Sequence, residues 1–253
     1  MKILSRLLIL LLLVLTACSE DEDTSDIIVI RKTITTDFSG AETTADWTYD
    51  GNKLTSIDYS NGNSRQYTYT GNLITQRQYL EGGALSSTET FEYDDQARLI
   101  QYKMINGAVG TRKTLTYNED GTIDIANFSG NATVQDVPDG TGKLFITNGE
   151  VSTAEFTTEA IPGTPVTDSY AYDYDDENNP AKNILGFNKI AFLSPIIDGV
   201  SRNITSYAKS DDVGTVLNTV TRIFTYNTYN YPVQAVHSDP LDGDNMTIQY
   251  FYD

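Results

Sequence analysis

The sequence predicts an all-β domain, a large antiparallel meander of hairpin repeats, curved or barrel-like, facing water and tethered by a lipid. Three observations predict it. Aromatic–polar–aromatic triplets recur along the chain, as Trp47-Thr48-Tyr49, Tyr67-Thr68-Tyr69 and Phe91-Glu92-Tyr93, with Leu115-Thr116-Tyr117 in the same pattern. Each runs into a short Asx/Gly-rich turn and an apolar restart, such as Gly51-Asn52-Lys53-Leu54 or Gly71-Asn72-Leu73-Ile74. The composition is that of strands: 17 Tyr and 9 Phe stand against one Trp, and such residues fit a pleated, half-buried surface.

Residues 1–17 read as a signal peptide. Lys2 and Arg6 form a basic start, and Leu7–Leu15 is an apolar run too short to span a bilayer. The run ends in Leu15-Thr16-Ala17-Cys18, which resembles the lipobox of bacterial lipoproteins. Cys18 is therefore the expected lipidation site and membrane contact, since two or more acyl chains anchor a protein stably. It is the chain's single cysteine, which excludes an internal disulfide. Ser19, Glu20, Asp21, Glu22 and Asp23 follow at once. They resemble the acidic tags that direct some lipoproteins to the outer leaflet of the outer membrane, so residues 18–26 read as lipidated Cys and tether. The expected location is the outer membrane, facing the cell exterior.

Residues 27–253 read as a single β-meander domain. The anchoring tyrosines 49, 69, 93 and 117 lie 20, 24 and 24 residues apart. A weaker copy is Phe145–Val151; late copies are Tyr172-Asp173-Tyr174 and Phe224-Thr225-Tyr226. A second set of turns, Asn61-Gly62-Asn63, Glu81-Gly82-Gly83, Asn106-Gly107 and Asp242-Gly243-Asp244, joins successive units. Turns every eight to twelve residues predict roughly fourteen to sixteen strands. Within a strand, Tyr67 and Tyr69 share one face while Gln66, Thr68 and Thr70 share the other, so one face is aromatic and one polar. Charges such as Arg65, Glu92, Arg98 and Lys103 interrupt any apolar band that a membrane-spanning barrel would need. Asn178–Ile197 is apolar without alternation and predicts a short helix or a plug-like loop on the aromatic face. Ala160–Pro165 reads as a loop, a candidate seam between two halves of one sheet.

Formal charge is −18; residues 1–17 hold two of the 17 basic residues and none of the 35 acidic ones, leaving −20 beyond them. Such a shell repels phosphates, so nucleic acid is excluded as a partner. Gly140-Thr141-Gly142-Lys143 lacks the flanking residues of a phosphate loop and reads as a turn. Asp173, Asp175 and Glu177, with Asp176, form the densest acidic cluster and the candidate metal site, with a solvated turn favoured over calcium. No cofactor is expected. Trp47, Tyr49 and Tyr69 are the candidate ligand-binding residues, since aromatic rings on a concave sheet can stack on sugars; the competing role is core filling. His237, the single histidine, has no partner motif and reads as a surface residue.

Tyr49-Asp50-Gly51-Asn52-Lys53-Leu54 and Tyr93-Asp94-Asp95-Gln96-Ala97-Arg98-Leu99 resemble the YD repeats of bacterial cell-surface and toxin-shell proteins. Tyr174–Pro180, Gly186-Phe187, Asn203–Ser206 and Tyr226–Pro232 are similar to the hallmarks of an uncharacterised family of bacterial surface lipoproteins with a porin-like β fold. That resemblance implies a curved or barrel-like meander over residues 27–253 and no established activity. The expected role is a non-enzymatic surface binding module for glycans. The alternative is a structural or protein-interaction subunit of an outer-membrane assembly, with a hydrolase third.

Overall fold

The computed structural model describes residues 27–253 apart from 162, 194–198, 242 and 244, and apart from the side chains of 160 and 161. The expected signal peptide, Cys18, the expected tag Ser19–Asp23, residues 194–198 of the unalternating stretch, Asp242 and Asp244 lie outside the described residues. Among the described residues sixteen strands follow one another. The first eight are β1 (Ile30–Thr36), β2 (Glu42–Asp50), β3 (Lys53–Tyr59), β4 (Ser64–Thr70), β5 (Leu73–Glu81), β6 (Ala84–Tyr93), β7 (Leu99–Asn106) and β8 (Val109–Tyr117). They continue as β9 (Ile123–Asn131), β10 (Gln135–Thr147), β11 (Glu150–Ile161), β12 (Thr164–Tyr174), β13 (Ile204–Ser210), β14 (Val216–Tyr226), β15 (Pro232–Ser238) and β16 (Asn245–Tyr252). Each pairs antiparallel with the next, and β1 pairs with β16 from Ile30↔Tyr252 to Thr36↔Thr247. The meander is thus a closed barrel with no free strand edge.

Because the strands alternate in direction, the two sets of turns fall at opposite ends. The turns after the Tyr-Asp triplets share one end with residue 27 and the C-terminus. The second set shares the other. The β10–β11 connection, Asn148-Gly149, has φ of 54° and 83°, the doubly positive pair that a two-residue hairpin requires. Ala160–Pro165 marks no seam: β11 and β12 are joined there as an ordinary hairpin, Ile161 pairing with Thr164. Gly140–Lys143 is not a turn but part of β10, where Gly142 leaves room for the Phe156 ring, 2.8 Å from where a Cβ would stand.

Strand parity puts Leu115, Ile125, Gly142 and Phe156 inside and Thr116, Asp124, Lys143 and Glu155 outside, across β8 to β11. Similarly Gln66, Thr68, Thr70, Glu92, Thr219, Thr221 and Thr225 stand exposed on the outer wall. The apolar core gathers at the end shared by residue 27 and the C-terminus. There the restart residues Leu54, Ile74, Leu99, Val151 and Ile204, together with Leu144 near the end of β10, are fully buried, and burying each such side chain stabilises by about 1.5–3 kcal/mol.

The tyrosine of one hairpin reaches back to the restart residue of an earlier one. Tyr93 Oη donates to Ile74 O (2.7 Å), Tyr117 to Leu99 O (3.1 Å), Tyr174 to Val151 O (2.8 Å) and Tyr252 to Pro232 O (2.7 Å). Tyr69 Oη accepts from Leu54 N at 3.1 Å. The Tyr-Asp pair therefore has two structural tasks: the tyrosine ties hairpins together, and the aspartate shapes the turn. Asp94 Oδ1 accepts from Gln96 N and Arg98 N at 3.0 and 2.9 Å. Asp37, Asp211 and Asn227 build the same five-residue loop.

The fourth position of that loop needs positive φ, and glycine fills it at Gly40 (84°) and Gly214 (83°). Ala97 occupies it at 57°. Ala97→Gly is expected to raise stability by roughly 0.5–1 kcal/mol, the cost of left-handed alanine exceeding the added freedom of the unfolded chain. Urea denaturation of the two forms checks it, and an unchanged or lower midpoint would count against it.

Candidate functional site

The described residues between β12 and β13 close one end of the barrel. Ile184 and Ile190 are buried in the core cluster, and Ala181, Phe187, Phe192 and Leu193 pack against it. A short 3-10 helix, Phe187–Lys189, follows Gly186 (φ 74°), which lies so close to the wall that a Cβ would sit 2.8 Å from Asn72 O. Leu185 N donates to Asn52 O (3.0 Å), and Asn183 Nδ2 donates to Ile28 O (2.9 Å) and Tyr231 Oη (2.8 Å). This apolar stretch is the plug expected from its lack of alternation. Its return is pinned by the buried Glu150, whose carboxylate accepts from Val200 N (2.7 Å), Ser201 N (2.7 Å), Ser201 Oγ (2.8 Å) and Arg202 N (3.0 Å).

Away from the plug the lumen changes character. The alternation that turns Tyr67 and Phe91 inward also turns Arg65 and Glu89 inward, two residues along the same strands. Arg77 on β5 completes the group, pairing in register with Tyr67 and Glu89. With Tyr59, Tyr79 and the Asn61 turn they line a cavity of about 410 Å³ at the end opposite the plug. Among the described residues nothing but short turns crosses that end. A second cavity of about 360 Å³, mostly apolar, lies between Phe192 of the plug and Leu99, Ile123 and Val151 of the wall.

The polar cavity is an organised one. Arg77 Nε is bonded to Glu89 Oε2, Arg77 Nη2 donates to Glu89 Oε1 at 3.0 Å, and Tyr102 Oη donates to the same oxygen at 2.7 Å. Burial pushes the Glu89 carboxyl up, but Arg77 and Tyr102 outweigh it and hold it below its ordinary value. The opposite shift, upward, is what a general acid near neutral pH requires. Asn63 Nδ2 donates to Tyr79 Oη at 2.7 Å, and the Arg65 guanidinium lies 5.8 Å from the Tyr59 ring centre. Further round the lumen Lys209 pairs with Asp168 (2.8 Å), and Lys113, its pKa lowered by burial, donates to Leu193 O of the plug (3.0 Å).

The residues singled out by sequence scatter over this frame. Trp47 points inward, packs on the core and donates from Nε1 to Thr33 Oγ1 at 3.4 Å. Tyr49 lies against the core beneath Arg31, whose guanidinium is 5.0 Å from the ring centre, and Tyr69 belongs to the tyrosine ladder. Asp173 is exposed on the outer wall, where Ser206 Oγ donates to it (2.8 Å). Asp175 binds inward to Asn203 Nδ2 (3.2 Å), Tyr226 Oη and Glu177 N (3.0 Å). These three acids are not brought together, and among the described residues no group of three His, Cys, Asp or Glu is placed to hold a metal ion. His237 corrects the surface expectation: it faces the lumen beside Arg222, largely buried, because strand parity there points it in. The cavity residues Arg65, Arg77 and Glu89 escape motif reasoning. Their signal is charge on the aromatic parity of a strand.

No protein-family profile matches the sequence, and no curated protein matches it. Solved structures do. A porin-like protein from Bacteroides vulgatus ATCC 8482 superposes with a TM-score of 0.62 at 12% identity, covering 89% of this chain and 98% of that one. A porin-like protein from Bacteroides uniformis ATCC 8492 gives 0.50 at 12% identity, covering 88% and 96%. The class defined is a porin-like antiparallel barrel, here of sixteen strands, plugged at one end.

Proposed function

We propose that this chain is a lipid-anchored outer-membrane protein whose barrel stands in water and binds glycans, without catalysis, at the mouth opposite the plug. The observation that carries the reading is the asymmetry of the lumen: apolar and plugged at one end, and at the other a cavity of about 410 Å³ with tyrosines and fixed polar groups. That volume is in the range of small-molecule sites, and amphipathic rings beside hydrogen-bonding groups suit sugars. The outer wall, rich in exposed Thr, Gln and Glu, suits water rather than lipid. Orientation supports the same reading. The chain enters the barrel at the plugged end, and a tether of nine residues from Cys18 to Asp26 reaches at most roughly 30 Å. The plugged end then lies toward the membrane and the mouth away from it.

The test is thermal unfolding of the chain from residue 24 onward against a panel of neutral and acidic oligosaccharides. A ligand at 100 times its dissociation constant stabilises by about 2.7 kcal/mol, which is a shift of several degrees for a domain of this size. A shift with at least one glycan class is expected. If no glycan shifts the transition, the glycan-binding reading fails, and a protein partner is to be sought on the outer wall, where Leu217 and Ile223 of β14 are 50% and 69% exposed.

A further inference from the structure

The charge inside the mouth runs against the charge of the whole. The chain carries −18, yet its polar cavity holds two guanidiniums, Arg65 and Arg77, against one carboxylate, Glu89. Arg77 is satisfied, since both oxygens of Glu89 face it and the pair is largely buried. Arg65 is not: among the described residues no carboxylate is within ion-pair distance, and its guanidinium stands exposed over the Tyr59 ring. Its cross-strand partner is Tyr79, whose hydroxyl is already oriented by Asn63. A guanidinium held over a ring at 5.8 Å keeps its N–H groups available, and their planar fork matches a carboxylate in two parallel hydrogen bonds. An acidic shell also lowers the local concentration of anions, so a surplus arginine within it selects for a ligand that brings other contacts.

We propose that the mouth binds an acidic saccharide, a uronate, whose carboxylate meets Arg65 while Tyr59 and Tyr79 flank the sugar ring. This rests on the glycan-binding reading and narrows it to a chemical class. Glu89 has a negative part in the same scheme: it neutralises Arg77, so that one guanidinium rather than two faces the ligand. The site is therefore matched to a single negative charge.

Calorimetric titration with a trisaccharide bearing one galacturonic acid residue, its methyl ester and inorganic sulfate separates the outcomes. The measurement uses the chain from residue 24 onward and its Arg65→Ala and Arg65→Lys variants. The acid is expected to bind at least tenfold more tightly than the ester, more weakly as salt rises. Arg65→Ala is expected to lose at least tenfold for the acid and little for the ester, with Arg65→Lys between. Arg65 is exposed and makes no ion pair among the described residues, so the variants should unfold near the parent temperature, which the same samples report. Equal affinity for acid and ester, or an Arg65→Ala variant that binds the acid unchanged, overturns the acidic preference while leaving glycan binding intact. Sulfate binding as tight as the trisaccharide overturns the saccharide part. Binding of neither sugar overturns both readings.

Discussion

Glu150→Ala is expected to lower the stability of the barrel by about 3–5 kcal/mol. The carboxylate is 3% exposed and accepts four hydrogen bonds, three of them from consecutive backbone amides, Val200 to Arg202. A hydrogen bond to a charged group contributes about 1.5–3 kcal/mol, and a donor left buried without a partner adds its own desolvation cost. Part of the loss is recovered if the loop moves out to water. For a domain of this size the melting temperature should fall by roughly 10 °C. Glu150→Gln keeps the shape and one acceptor oxygen, and should cost less than half as much. Hydrogen exchange locates the effect: amides 200–202 and those of the plug should lose protection before the strands distant from it. Uniform loss across all strands would mean that Glu150 does not hold the plug in particular. Gly199 sits in the same return (φ 84°), with Arg202 O 2.1 Å from where a Cβ would stand, so the loop has little freedom to find another path.

His237 gives the second large effect, and its sign follows from its surroundings. Burial in the lumen, with Arg222 beside it, pushes the imidazole pKa from 6.5 down to about 4. Between those values the unfolded chain binds a proton that the folded one refuses, so stability falls as pH drops from 6.5 toward 4 and is unaffected by this group above 6.5. The shift corresponds to roughly 3 kcal/mol over that window. Because the chain has one histidine, the term can be isolated by comparing His237→Gln with the parent in urea at a series of pH values. Carboxylates such as Glu89, held below its ordinary value, lose their contribution only as pH falls lower, through the folded pKa. Parallel pH profiles for parent and variant between 6.5 and 4 would show that the ring is not buried as described.

Much of the barrel was legible in the amino-acid order. Period-two alternation and turn residues at φ > 0 positions are local properties, and each hairpin needs only its own twenty or so residues to declare itself. Tyr93-Asp94 shows how compact the signal is: one residue marks the strand's inner face and the next shapes the loop. The unpatterned stretch after Asn178 was legible for the complementary reason, since an apolar run without alternation cannot be a strand with one wet face. Where reading failed, it failed on parity or on local composition. Gly140–Lys143 reads as a turn from its two glycines alone, because the Phe156 ring that needs Gly142 stands in the neighbouring strand. His237 looked exposed because it stands near a polar turn, although its parity with Ala235 puts it inside.

The class of architecture, the approximate number of strands, the aromatic face of each and the acidic character of the whole are all written in the amino-acid order. Those follow from period, turn chemistry and charge, all of them sums over neighbours in the chain. Closure was decided by the tertiary structure, because the pairing of Ile30 with Tyr252 joins residues at opposite ends of the chain and no local pattern encodes it. Closure in turn decided the rest. Once the sheet is a tube its inner face lines a lumen, and Arg65, Arg77 and Glu89 meet in one cavity there because β4, β5 and β6 lie side by side at that register.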